Sequence, residues 1–236
     1  TDNGSLGIAE GLHTVVNDLL PLGEFNPNDT LLNKKENQLL ILTGPNMSGK
    51  SVYIRQVALI VLLAQIGCFA PAEKLKFSPV DKIFVRSGAS DMISSGISTF
   101  MLEMIEASYI LNNATSDSLI IMDEIGRGTS TYDGISIAWS IASYLVTKED
   151  LKPKTLFATH YHELCDLEEK YPNSISNYQV LVEEDSEGEP VFLHKVVKGR
   201  AGHSYGIAVA RLAGVPEEVT KKAETVLRRL EKRGVA

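Results

Sequence analysis

Gly44-Pro45-Asn46-Met47-Ser48-Gly49-Lys50-Ser51 fits the pattern Gly, any four residues, Gly-Lys, then Ser or Thr. An apolar run, Leu39-Leu40-Ile41-Leu42-Thr43, precedes it, and an apolar-rich stretch over residues 52–66 follows. Strand, loop and helix in that order are what a phosphate-binding loop requires. The glycines let the backbone curl so that its N–H groups face inward around phosphates. The new helix adds the positive end of its dipole. In such a loop Lys50 reaches the β- and γ-phosphates and the Ser51 hydroxyl ligates Mg²⁺. The motif points to binding of a nucleoside triphosphate.

A phosphate loop alone does not separate a kinase, a GTPase and an ATPase. Further along, four apolar residues at 119–122 read as a short buried strand that ends in Asp123-Glu124. Asp123 stands where a carboxylate holding Mg²⁺ through water is expected. Glu124, directly after it, is placed to polarise a water for attack on the γ-phosphate. Adjacent acidic residues are usually a solvated turn, but an apolar strand before them and a phosphate loop upstream favour the chemical reading. A small-molecule kinase would need an acceptor pocket, and no segment specifies one.

Three segments fit the same site. Gly126-Arg127-Gly128-Thr129-Ser130-Thr131 is a polar loop just past Glu124 that can carry contacts across a nucleotide. His160 follows an apolar strand at 155–158, where strand ends converge on ligands in parallel sheets, although a lone histidine there is more often structural. Ser98-Thr99-Phe100 offers a hydroxyl and free N–H groups at a helix start, an arrangement that suits an anion and is more commonly a plain cap.

Alternation of strands and helices predicts an α/β fold, a mostly parallel sheet covered on both faces. A second strand is expected at 82–87, a Gly/Ser loop at 88–96, a helix carrying Met101, Met104, Ile105, Ser108 and Leu111 on one face, and a helix at 135–146. Helix is expected again at 162–170, and a hairpin around Asp185-Ser186-Glu187-Gly188-Glu189. Residues 1–37 read as polar and turn-rich, with a turn at Asn26-Pro27-Asn28-Asp29. The last forty residues change character: a short helix at 206–212, a turn at Ala213-Gly214, then Pro216 opening a longer helix with Glu217 and Glu218 in its first turn. Its apolar stripe is Val215, Val219, Ala223, Val226, Leu227 and Leu230. The pair reads as a helix-turn-helix whose mixed charge favours protein packing over major-groove reading.

Composition narrows the partners. Lys and Arg number 23 against 30 Asp and Glu, a net charge of −7, whereas a nucleic-acid-binding domain normally carries a basic surplus. If the chain serves a DNA process, most DNA contacts are expected from parts outside it. The start without Met and the plain tail also suggest a fragment of something larger. The two cysteines, Cys68 and Cys165, lack metal-ligand spacing and cannot form a disulfide framework, which suits a reducing, cytosolic setting. No signal peptide opens the chain, and the apolar stretch at 57–69 is too short to span a bilayer.

Taken together, these residues resemble the ATPase domain of the MutS family of DNA mismatch repair proteins. The matching stretches include Thr43 through Ser51 with Asn46-Met47, and Gly88-Ala89-Ser90-Asp91. They continue through Ser98-Thr99-Phe100-Met101, the highly specific run from Asp123 to Thr131, and Ala158-Thr159-His160-Tyr161. Ser204-Tyr205-Gly206-Ile207 and Leu212-Ala213-Gly214-Val215-Pro216 match as well, so the resemblance covers about residues 8–231.

The resemblance implies an ABC-superfamily P-loop ATPase that uses ATP and Mg²⁺ and works as a homodimer with two composite sites. The division it implies is an ATPase domain over residues 1–200 and a helix-turn-helix dimerisation segment over 201–236. On that analogy Gly44, Pro45, Asn46, Met47, Ser48, Gly49, Lys50 and Ser51 surround the phosphates, with Asn46 near the γ-phosphate. Ser51 and Asp123 hold Mg²⁺, Glu124 activates water and His160 senses the γ-phosphate. Phe25, in Glu24-Phe25-Asn26-Pro27, stacks on adenine. Ser98 reaches the partner's nucleotide in trans, and Arg127 lies in the loop linking the two sites.

Mismatched DNA is then read by domains absent from this chain, a MutL-type repair protein acts downstream, no membrane is involved, and the location is cytoplasmic or on the chromosome. Leu12 and Thr14 depart from an Arg and a Pro usual around His13, Val52 from Thr, Met92 from Asp, and Ser48 from Gly or Ala. None removes a catalytic group, and Ser48 is harmless if its φ is negative. The competing readings are a nucleotide-gated dimerisation module serving recombination, and a phosphotransferase on the same loop.

Overall fold

A computed structural model describes residues 4–88, 98–186, 189–202 and 205–231. Its centre is a six-stranded sheet formed by β3 (Leu39–Thr43), β5 (Ile83–Arg86), β6 (Leu119–Asp123), β7 (Lys154–Ala158), β8 (Ile175–Glu184) and β9 (Pro190–Lys198). The spatial order is β5-β6-β7-β3-β8-β9. The first five strands are mutually parallel, and β9 closes the edge antiparallel to β8 as the second arm of the expected hairpin.

Every residue of β3, β6 and β7 is buried, which is why these strands read as near-continuous apolar runs rather than alternating ones. Alternate side chains serve opposite faces. Leu39, Ile41, Ile120, Met122 and Phe157 pack with Ala107 and Ile110 of α3 (Thr99–Asn113) and with Ala138, Ile141, Ala142 and Leu145 of α4 (Thr131–Thr147). Leu40, Leu42, Leu119, Ile121, Leu156 and Ala158 meet Tyr53, Ile54, Val57 and Val61 of α2 (Lys50–Gln65) on the other face. The positions of α2 on this contact recur at helical spacing, so one stripe of the helix covers the sheet.

The amino-terminal region is not a turn-rich tract. It supplies β1 (Leu6–Gly11), α1 (Thr14–Leu19) and β2 (Asn28–Leu32). Together with β4 (Lys74–Phe77) the strands make a second, antiparallel sheet in the order β2-β1-β4, whose Leu6, Ile8 and Leu32 join the α2 side of the core. Three short strands with Gly and charged residues between their apolar positions give little periodicity, and the pairing of β1 with β4 spans some seventy residues. The turn expected at 26–29 is displaced: Asn28 and Asp29 already belong to β2. Asn28 Nδ2 donates to the Asn26 and His194 carbonyls, at 3.1 and 2.9 Å, and its Oδ1 accepts from Val196 N–H at 2.7 Å, which ties β2 to β9.

Most other elements stand where the pattern put them. The segment at 162–170 opens as a 3₁₀ turn, His162–Asp166, before α5 (Leu167–Lys170). Most of the loop expected at 88–96, including Ala89, Ser90, Asp91 and Met92, lies outside the described residues, as do Glu187, Gly188 and Ser204. The chain ends in α6 (Gly206–Leu212) and α7 (Glu217–Glu231). Arg211 holds them together and to the hairpin, with Glu224 and Glu189 each at 2.6 Å. On α7, Val219 is 55% exposed and Val226 37%, so its apolar stripe is not fully covered within this chain.

Phe157 is fully buried in the middle strand layer. Phe157→Ala is expected to lower unfolding stability by about 3–5 kcal/mol, read as a shifted denaturation midpoint.

Candidate functional site

The parallel strands β3, β6 and β7 bring their carboxyl ends to one edge, and the site is built there. Between Thr43 and Lys50 the chain folds back with Gly44 at φ 148° and Gly49 at φ 97°. Gly49 is the left-handed N-cap of α2, with no side-chain cap, which leaves the helix's first N–H groups free for a ligand. Ser48 is absent from the residues with positive φ, so its side chain is tolerated in the loop. Its Oγ is buried and has no hydrogen-bond partner among the described residues.

Lys50, 4% exposed, turns its ammonium back onto the loop, donating to the Gly44 and Pro45 carbonyls at 2.7 and 3.0 Å. Burial pulls its pKa below the usual lysine value, partly offset by the negative Glu124 and Asp123. Glu124 Oε1 lies 3.8 Å from Lys50 Nζ. Ser51 Oγ donates to Asp123 Oδ1 at 3.0 Å, joining the start of α2 to the end of β6. One turn along α2, the Arg55 guanidinium stands 3.2 Å from Asp123 Oδ2.

Glu124 occupies φ 56°, a left-handed conformation uncommon for a residue with a side chain. The Ala158 carbonyl accepts its N–H at 2.9 Å, which holds the bend at the strand end. Its carboxylate, 16% exposed, faces Lys50 on one side and Arg127 on the other, with Arg127 Nη1 2.5 Å from Oε2. His160 is half-buried just beyond β7, its Nδ1 without a hydrogen-bond partner among the described residues and its ring centroid 4.1 Å from that of Tyr161. Burial lowers its pKa, and the neighbouring Glu124 acts in the opposite direction.

Two cavities flank the loop. One, of about 370 Å³, is lined by Gly44, Pro45, Asn46, Arg127, His160 and, from the carboxyl-terminal helices, Tyr205. The other, of about 270 Å³ and largely apolar, includes Phe25, Met47, Val52, Tyr53 and His194. Thus Gly44, Pro45, Asn46, Lys50, Glu124, Arg127 and His160 converge on one side of the loop, with Ser51 and Asp123 beside them. Phe25, Met47, Ser48 and Gly49 border the other cavity. Ser98 is not part of this cluster: it is exposed, and its Oγ caps α3 by accepting Met101 N–H at 3.1 Å. Arg127, read from the resemblance as a link between two sites, pairs with Glu124 of its own chain.

Several contributors were not legible as such. Arg55 belongs to none of the motifs, yet it pairs with Asp123. His194 sits at φ 51° within β9 and shares a 2.8 Å hydrogen bond with the Ser48 carbonyl through Nδ1. Tyr161 donates its hydroxyl to the Gly126 carbonyl at 2.9 Å, and Glu103 of α3 accepts the Gly126 N–H. The Gln56 amide is fully buried at the wall of the apolar cavity, without a hydrogen-bond partner among the described residues.

The family model for MutS domain V matches residues 40–231. The chain belongs to the MutS family. The DNA mismatch repair protein MutS of Caldicellulosiruptor bescii is 58% identical over 224 residues, which is 95% of this chain and 26% of that protein. The MutS protein of Clostridium perfringens is 55% identical over 230 residues, 98% of this chain and 25% of that protein. For Clostridium botulinum MutS the identity is 57% over 224 residues, 95% and 24% of the two chains. The chain therefore spans about a quarter of the length of these curated relatives. The MutS match begins within β3, immediately before the loop that organises the site. Among the described residues no helix is long and apolar enough to cross a membrane.

Because His160 has a folded-state pKa below its ordinary 6.5, the unfolded chain binds more protons in that range. Stability is therefore fully present above pH 6.5 and is lost as pH falls through that value toward the folded-state pKa. His13 is shifted in the same direction, chiefly by burial. An NMR titration is expected to place the His160 imidazole midpoint below 6.5, and His160→Asn to flatten the pH dependence of the denaturation midpoint. A midpoint above 6.5 would contradict the described environment.

Proposed function

We propose that this chain is the ATP-binding and ATP-hydrolysing domain of a MutS-type mismatch repair protein, an ABC-superfamily P-loop fold. The observation that carries the reading is the convergence of Lys50, Ser51, Asp123, Glu124 and His160 at the ends of three parallel strands. His160 Nδ1, without a hydrogen-bond partner among the described residues, supports a polar ligand beside the loop. The Ser51–Asp123 pair is a hydroxyl and a single carboxylate, a sparse oxygen set that fits Mg²⁺, whose remaining positions go to waters and phosphate oxygens. Bound Mg²⁺ would neutralise phosphate charge as the γ-phosphoryl group departs.

The loop residues 44–51 wrap the phosphates with backbone N–H groups, and Lys50 exchanges the Gly44 and Pro45 carbonyls for phosphate oxygens. Glu124 accepts the proton of the attacking water. The water oxygen bonds to the γ-phosphorus, the bond to the β–γ bridging oxygen breaks, and ADP and inorganic phosphate leave. Arg127 must yield its hold on Glu124 for that proton transfer. Neutral His160 faces the γ-phosphate with Asn46, and the base enters the apolar cavity between Phe25 and His194.

Ser98, exposed at the start of α3, is free to meet a partner's nucleotide in a homodimer, with Arg127 in the loop between the two sites. The incompletely covered stripe of α7 supports residues 201–236 as a helix-turn-helix dimerisation segment appended to a 1–200 ATPase domain. The net charge of −7 supports mismatched DNA being bound by other parts of the protein, with a MutL-type partner acting downstream and a cytoplasmic or chromosomal location.

Glu124→Gln is expected to bind Mg-ATP normally and to lose turnover by about 10²- to 10⁴-fold. Lys50→Met is expected to weaken nucleotide binding itself, checked by equilibrium titration. Turnover per chain should rise and then level as protein concentration increases, since a composite site exists only in the dimer. Full turnover by Glu124→Gln would remove the hydrolytic reading.

A further inference from the structure

One peptide next to the site is held from two directions. The Gly126 N–H donates to Glu103 Oε1, and the Gly126 carbonyl accepts the Tyr161 hydroxyl at 2.9 Å. Gly126 lies at φ 93°, and a Cβ on it would stand 2.6 Å from the Gly134 carbonyl oxygen, so no side chain fits there. Glu124 is two residues upstream and Arg127 is the next residue. The clamped peptide therefore sits inside the segment that presents the Glu124 carboxylate.

Glu103 is a charged residue at 4% exposure that the hydrolytic scheme does not use. Carboxylates buried so deeply are rare without partners. Its second oxygen, Oε2, is 3.4 Å from Nη2 of Arg86, itself 2% exposed. Arg86 has another carboxylate at hand, with Glu106 Oε2 at 3.0 Å from Nε. Charge balance for Arg86 is thus shared, whereas the Gly126 N–H has Glu103 alone among its described acceptors.

We infer that Glu103 is a positioning residue for hydrolysis: it fixes the Gly126 peptide against α3 while Tyr161 fixes it against the end of β7, and so sets where the Glu124 carboxylate stands relative to Lys50 and His160. This rests on the hydrolytic reading of Glu124 given above. One carboxylate oxygen of Glu103 accepts the Gly126 N–H and the other faces the Arg86 guanidinium. In glutamine one of these positions becomes an NH₂ donor, so either the Gly126 N–H loses its acceptor or a donor is set against Arg86. A carboxylate that must meet a water and a γ-phosphorus at hydrogen-bond distance tolerates little displacement, so freeing this peptide acts on the chemical step.

The test compares the wild-type chain with Glu103→Gln, Glu124→Gln and the double variant, at a protein concentration where turnover per chain has levelled. Thermal unfolding is recorded for each. Glu103→Gln is expected to lower kcat about 10- to 100-fold, the scale of a misplaced catalytic group. Equilibrium Mg-ATP affinity should stay within about threefold, which separates loss of positioning from loss of the binding site. In the Glu124→Gln background the same substitution should cost nothing more, because Glu103 acts only through that carboxylate. Unchanged kcat in folded Glu103→Gln, a parallel fall in affinity and kcat, or an additive loss in the double variant would each overturn the inference. Should Glu103→Gln not fold, Glu103→Asp keeps the charge beside Arg86 but withdraws it by one methylene from Gly126; wild-type kcat there would overturn the inference equally. Full turnover by Glu124→Gln alone would instead sink the hydrolytic reading and leave the clamp as a packing feature.

Discussion

Strands β3, β6 and β7 are buried along their whole length on both faces, and that burial dictates where charge can go. The α2 layer and the α3–α4 layer meet the sheet through mainly apolar side chains, and the charged groups of the site gather where the parallel strands run out. Parallel pairing puts all those ends on one edge. Thr43, Asp123 and Ala158 end their strands side by side, and the next few residues of each segment form the site. The apolar core thus acts on function by exclusion.

Within that edge, charges are balanced in pairs and short chains. Lys50 lies between loop carbonyls and Glu124, Asp123 between the Ser51 hydroxyl and Arg55, and Glu124 between Lys50 and Arg127. On the proposed reading, a nucleotide with its metal would replace the Lys50 and Ser51–Asp123 contacts with phosphate and cation contacts, so these charges are satisfied and exchangeable. Backbone strain supports the arrangement. Glu124 at φ 56° and Gly126 at φ 93° bend the segment sharply after β6, and bonds from Ala158, Tyr161 and Glu103 hold the bend.

Local patterns carried most of the six-stranded sheet, because apolar runs of four or five residues closed by Gly, Asp-Glu or Thr-His leave few alternatives to buried parallel strands. The amino-terminal sheet was hidden for the opposite reason. Leu6, Ile8 and Leu32 are isolated apolar positions whose strand character appears only when β4, far along the chain, pairs with β1. His194 was equally silent: a strand residue by pattern, it reaches the loop because β9 is distorted at that point and folds over Ser48.

By itself the sequence determined the phosphate-loop motif, the Asp123-Glu124 pair after a buried strand, the parallel α/β architecture and the likeness to MutS. All are consecutive or periodic signals, and short-range backbone geometry is enough to interpret them. Only the tertiary structure decided that Arg127 pairs with Glu124 in its own chain, that Arg55 faces Asp123, and that Glu103 and Tyr161 grip one glycine peptide from opposite sides. Glu103 and Gly126 are separated by 23 positions in the chain, and Tyr161 and Gly126 by 35. Such contacts depend on how helices settle against a sheet, and packing distance, unlike strand or helix periodicity, leaves no mark on the order of residues.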